Sequence, residues 1–159
     1  MNDTHEIPRG FTGCLTKAGL AIGSTPAELA VVAPNGAGVD FVINGICYHL
    51  ADDASTSGIP AATTAQAALT QCLYLFQVNA GGTMLVTKGT EQLTTDINAG
   101  KTALYWPAPT AAYCPIAGYR VALVGAATYT SGTTDHNATN VTTTYYDFAG
   151  GMPTGPIIA

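Results

Sequence analysis

The chain has 159 residues, a length that suits one domain able to bury roughly 70% of the surface its unfolded form exposes. Charged residues make up 9% and hydrophobic ones 47%; an ordinary soluble domain carries about 25% charged residues, so mixed surface charge is not what keeps this chain dispersed, and cover by neighbouring subunits or a Thr/Ser/Gly-rich surface is expected. A net charge of -5 with five scattered cations, Arg9, Lys17, Lys88, Lys101 and Arg120, excludes a basic patch for phosphates and so direct nucleic-acid binding, and the lack of any run of about 20 apolar residues excludes a membrane-spanning helix.

Residues 1–18 hold Pro8, Gly10 and Gly13 in mixed polarity without a sustained period, which predicts an extended N-terminal arm ahead of a β domain over residues 19–159. The opening "MNDTHEIPRG" has neither the basic region nor the apolar core of a secretory signal, so a chain starting there is expected in a cytosol-like compartment. From "GLAIGS" onward the pattern is one of short β segments broken by Gly, Pro, Asn and Asp. In "STPAELAVVAP", Thr25, Pro26 and Glu28 offer a helix start. Only five residues separate Glu28 from Pro34, and the β-branched pair Val31 and Val32 favours a strand.

The stretch "VDFVINGICYHL" carries the strongest local signal. Asn44 and Gly45 suit the two positive-φ positions of a type I′ turn, which fixes the register of the hairpin. Ile43 then faces Ile46, Phe41 faces Tyr48 and Val39 faces Leu50 along one apolar strip, while Asp40 lies across from His49 on the other side beside Val42 and Cys47. The polar loop that follows leaves room for a brief helix over 61–70. "QCLYLFQV" predicts a strand buried on at least one side. "NAGG" turns it into "TMLVTK". After the break at Pro107 and Pro109, where Trp106 anchors the bend, a strand resumes with Tyr119, Val121 and Leu123 on one face. "YTSGTTDHNAT" reads as a polar loop, "NVTTTYYDF" as a Thr/Tyr strand facing water or a subunit, and "AGGMPTGPIIA" as a Gly/Pro C-terminal tail. The fold class is all-β: one antiparallel β-sandwich or small barrel.

Chemistry-bearing residues are sparse. Asp40, Cys47 and His49 could supply three zinc ligands, but a structural site takes four, so an ordinary cross-strand Asp40/His49 pair is expected. Ser24 lacks the surroundings of a nucleophile elbow. Asp135 and His136 are sequence neighbours, which does not create the geometry of a triad, and His5 falls in the arm. Asp52 and Asp53 suit a solvated loop, with weak calcium binding as the functional reading. Cys14, Cys47, Cys72 and Cys114 show no C-x-x-C spacing and read as free, mostly buried thiols; two disulfides of undetermined pairing are the alternative in an oxidising compartment. Tyr105, Trp106, Tyr113, Tyr145 and Tyr146 could line a sugar-binding groove, and core or subunit contacts explain them equally well.

The series "AGLAIGS", "FVINGICYHLAD", "CLYLFQVNAGGTMLVTKGTE", "YWPAPTAAYCPIAGYRVALVG" and "YTSGTTDHNATNVTTTYYDFAGGMP" resembles a group of small virion structural proteins of tailed bacteriophages, over residues 18–153. The resemblance implies a non-enzymatic capsid decoration or cement protein, or a head-fibre base. It implies the major capsid protein or other virion proteins as partners, a homo-oligomer that could be a trimer, and a place on the capsid surface after assembly in the host cytoplasm. It carries no catalytic residue, metal or cofactor to this chain, and the four Cys depart from its pattern. A host glycan- or receptor-binding module of a fibre or tail is the alternative.

Overall fold

The computed structural model describes residues 10–54 and 64–157. They form ten strands and one short helix: β1 (Gly13–Cys14), β2 (Leu20–Ile22), β3 (Leu29–Val31), β4 (Val39–Ile43), β5 (Ile46–Leu50), β6 (Thr70–Asn79), β7 (Met84–Lys88), β8 (Gln92–Leu93), α1 (Thr94–Asn98), β9 (Tyr113–Leu123) and β10 (Val141–Asp147). The main sheet runs β10-β9-β6-β7, with β8 extending the β7 side of β6. A three-stranded sheet, β1-β4-β5, and the β2-β3 ribbon complete the set, and all strand pairs are antiparallel. The fold is all-β and sandwich-like. The small barrel, the other sequence expectation, does not form, because β10 and β7 end the main sheet without pairing to each other.

The hairpin has the register its turn dictates, with Ile43 opposite Ile46, Asp40 opposite His49 and Val39 opposite Leu50. Asn44 and Gly45 sit at φ 52° and 80°, as a type I′ turn requires. Val39, Phe41 and Ile43 enter the core. Val42 on the other face is also buried, where β1 pairs with β4. Residues 29–31 are strand, so the β-branched preference prevails over the helix start before them.

Strands β6 and β9 form the centre, and β6, expected to be buried on at least one side, is buried on both. One face of the main sheet, carrying Cys72, Tyr74, Phe76, Val78, Tyr119, Val121 and Leu123, packs on Val39, Phe41, Leu29 and Val31 from the smaller sheets. The other face carries Leu73, which packs with Ile97 of α1, Leu104, Trp106 and Ile157. The β6-β9 ladder shifts register between Phe76 and Gln77, so that Phe76 pairs with Ala117 and Gln77 with Pro115, leaving Ile116 as the extra residue of a bulge. That break lets Pro115, which has no N–H to give, sit in a central strand.

Three expectations are corrected. The arm predicted over 1–18 is packed rather than free at its described end, since Cys14 pairs with Phe41, is fully buried and bridges Ala149; residues 1–9 lie outside the described residues. Apolar burial of Cys14 and Ala18 outweighed the Gly/Pro composition that suggested a free segment. The brief helix over 61–70 does not form at 64–70, where Gln66 instead bridges Tyr129 and Thr70 begins β6; residues 61–63 lie outside the described residues. The Gly/Pro tail is not free but pinned by Ala149, which bridges Cys14, and by Ile157, which bridges Leu104.

Candidate interaction surface

On the hairpin, Asp40 Oδ1 lies 2.8 Å from His49 Nδ1, both side chains about half exposed. The imidazole lies over Gly38, where an added Cβ would be 2.9 Å from Nε2. Cys47 is exposed on the same face, and among the described residues no three His, Cys, Asp or Glu side chains converge to hold a metal ion. The geometry is that of a cross-strand pair. Asp52 does not idle in a solvated loop: its Oδ1 accepts the Ala33 N–H at 2.7 Å, and the Asp53 backbone exchanges two hydrogen bonds with Val31. These neighbouring residues thus staple the chain to β3.

His136 belongs to a buried aromatic cluster. Tyr74 and Tyr119 stack with centroids 5.0 Å apart, Tyr129 meets Tyr74 edge-on, and His136 lies between Tyr119, Tyr129 and Tyr145. Tyr119 Oη and Ser131 Oγ share a 2.7 Å hydrogen bond. Tyr74 Oη donates to Gln66 Oε1, while Gln66 Nε2 donates to the Thr70 and Val121 carbonyls. Burial lowers the His136 pKa to about 4 and raises that of Tyr119 well above the usual phenol range. Asp135 is exposed, so the neighbouring pair points in opposite senses and forms no base-and-orienter couple. The cluster joins the 129–136 loop to the sheet, a role for Tyr129, Ser131 and His136 that a polar-loop reading of "YTSGTTDHNAT" misses; only the aromatic Tyr129 hinted at it.

The five aromatic candidates do not share a groove. Tyr145 turns inward to Tyr119 and His136, whereas Tyr146, the next residue on the strand, meets Trp106 on the opposite face. Trp106 lies against Gly118 and Phe148, Tyr113 is half-buried, and Tyr105 is 60% exposed. Tyr105 borders an open cleft of about 500 Å³ with Lys101, Thr102 and Ile97. A second, of about 410 Å³, is lined by Thr12, Pro109, Tyr113 and Met152 among others.

The outer surface is where unshielded groups collect. Leu69 (55% exposed), Leu93 (51%) and Val124 (51%) gather at one end of the main sheet, where Thr70 pairs with Leu93 and Gln71 with Ala122. Strands β5 and β10 are sheet edges, and Ile46 on β5 is exposed. Of the described cations, Lys88 pairs with Glu91 and Lys101 with Asp96. Arg120 has a buried Nε without a hydrogen-bond partner. Leu69, Leu93 and Val124 carry no sequence signature, because each adjoins a strand end rather than an alternating run. Among the described residues no helix is long and apolar enough to cross a membrane. No protein-family profile, curated protein or solved structure matches this chain.

Proposed function

We propose that this chain is a non-enzymatic structural component of a tailed-phage virion, a capsid decoration or cement protein that binds and stabilises the assembled head. The observation that carries this reading is a surface poor in charge that displays an apolar rim, Leu69, Leu93 and Val124, on a sheet whose edge strands pair with no further strand. Such groups favour contacts closed by other copies or by a lattice. The order of sequence motifs supports the same assignment. A cement protein acts by preferring the assembled shell, so that mass action converts its site affinity into particle stability. The major capsid protein is the expected partner.

Purified chain should therefore co-sediment with expanded heads from which it has been stripped, and bind isolated capsid subunits much less. Equal binding to both overturns the cement role. The alternative, a host glycan-binding module, draws on Tyr105 at the rim of the 500 Å³ cleft, since an exposed aromatic face beside polar groups suits a sugar ring. Retention on a glycan array, lost in Tyr105→Ala, would move the assignment to that reading.

A further inference from the structure

Arg120 stands in the middle of β9, paired with Leu73 on one side and Thr144 on the other. Its neighbours Tyr119 and Val121 enter the tyrosine-lined core, so Arg120 projects from the opposite face, the one on which Trp106 lies against Gly118. The side chain is partly buried, and its Nε has no hydrogen-bond partner. No carboxylate lies within ion-pair distance of it among the described residues. Gln71, diagonal to it on β6, is buried and has an unpartnered Oε1. A half-buried guanidinium without a carboxylate is costly, and folded proteins seldom leave one so.

The chain also has a carboxylate in the complementary condition. Asp40 is engaged by His49, Asp52 by the Ala33 N–H, Glu91 by Lys88, Asp96 by Lys101 and Asp147 by the Gly19 and Leu20 N–H groups. The Asp135 side chain is exposed and has no such partner among the described residues. It cannot meet Arg120 of its own chain. The loop that bears it is fixed to the tyrosine-lined face through His136 and through Thr143 Oγ1, which donates to the His136 carbonyl at 3.0 Å, whereas Arg120 projects from the other face.

We propose that Arg120 of one copy receives Asp135 of a second copy, and that the chain assembles head to tail through this pair. The two groups lie on opposite faces of one sheet, so a single self-complementary patch would have to wrap around the β10 edge; a heterologous contact that closes into a ring satisfies both directly. The incoming carboxylate would accept from the two Nη–H groups, since Nε itself is enclosed by the chain. Leu69, Leu93 and Val124, exposed at the adjoining end of the sheet, supply apolar area beside the charged pair. The contact is independent of what the resulting assembly binds.

Sedimentation equilibrium of the purified full chain tests it, with wild type, Arg120→Glu, Asp135→Arg and the double reversal. Wild type should be oligomeric. Each single reversal should weaken association on the order of 100-fold, as loss of one partner of an interfacial charge pair does, and the double reversal should restore most of it. Asp135→Arg alters an exposed loop position and so decides the matter even if Arg120→Glu fails to fold. A monomeric wild type, an Asp135→Arg variant that associates as wild type does, or two folded single variants whose combination is no better than either would each overturn the proposal. Binding of the same variants to stripped heads separates this contact from the cement role, since a monomer that still prefers expanded shells leaves that role standing.

Discussion

Gly118 shows how a single missing side chain determines the position of a large one. A Cβ there would fall inside the van der Waals shell of the Trp106 ring and 2.9 Å from the Tyr74 carbonyl oxygen. The indole can therefore lie directly on β9, edge-on to Tyr146 and Phe148. The constraint is one of space, because this glycine has no positive φ. Gly118→Ala should lower stability by about 1–3 kcal/mol, the usual cost of overpacking a filled site, and thermal melting followed by tryptophan fluorescence will register both the loss and the displaced ring. A melting temperature equal to wild type would show that Trp106 does not depend on this glycine. The approach of Trp106 to Gly118 was not legible in the sequence, although "WPAP" did mark Trp106 as the anchor of a bend.

The loop over 129–136 is an element without regular structure that is held by buried polar groups. His136 is buried there with Tyr129 and Ser131, and its imidazole stays neutral down to about pH 4 because burial opposes the charge. In the unfolded chain the same group takes its proton near 6.5. Between those values the unfolded state binds more protons, so stability is complete above about pH 6.5 and falls as the pH drops toward 4. The loss should reach about 2–3 kcal/mol. Urea unfolding at pH 7 and pH 4.5 should show this decrement in wild type and not in His136→Gln, with carboxylate effects common to both proteins cancelling; equal decrements would remove His136 as the cause. Elements differ in how openly the sequence states them. The β4-β5 hairpin was legible to the residue because Asn44-Gly45 leaves one register available. The helix α1 was not, since "TTDIN" is little more than one turn and has no side-chain N-cap hydrogen bond. The polar appearance of "SGTTDH" likewise hid Ser131 and His136, whose burial depends on Tyr74 and Tyr119 arriving from distant strands.

For the molecule as a whole, the antiparallel β class followed from strand spacing and turn residues, whereas the pairing of β1 with β4 and the closure by the C-terminal segment did not, because long-range partners leave no local signature. The cysteines give a reading of that closure. Cys14, Cys72 and Cys114 lie in one core cluster contributed by β1, β6 and β9, and burial raises their thiol pKa values to about 11, 12 and 12. Cys47 is exposed, and all four are free. A thiol-reactive chromophore should label Cys47 at once in the native protein and the other three together when denaturant is added, since a buried protonated thiol is a poor nucleophile. Stepwise release of those three would mean that the sheets come apart separately. The hydrogen bonds from Gly19 and Leu20 to Asp147, the first spanning 128 positions, have a further bearing on rate. Each joins segments that must find one another across nearly the entire chain, and loop-closure entropy places such encounters late and makes them slow. Refolding from denaturant will accordingly run on the millisecond-to-second timescale of high contact-order sandwiches, with the seam between residues 14–20 and 147–150 among the last parts to knit.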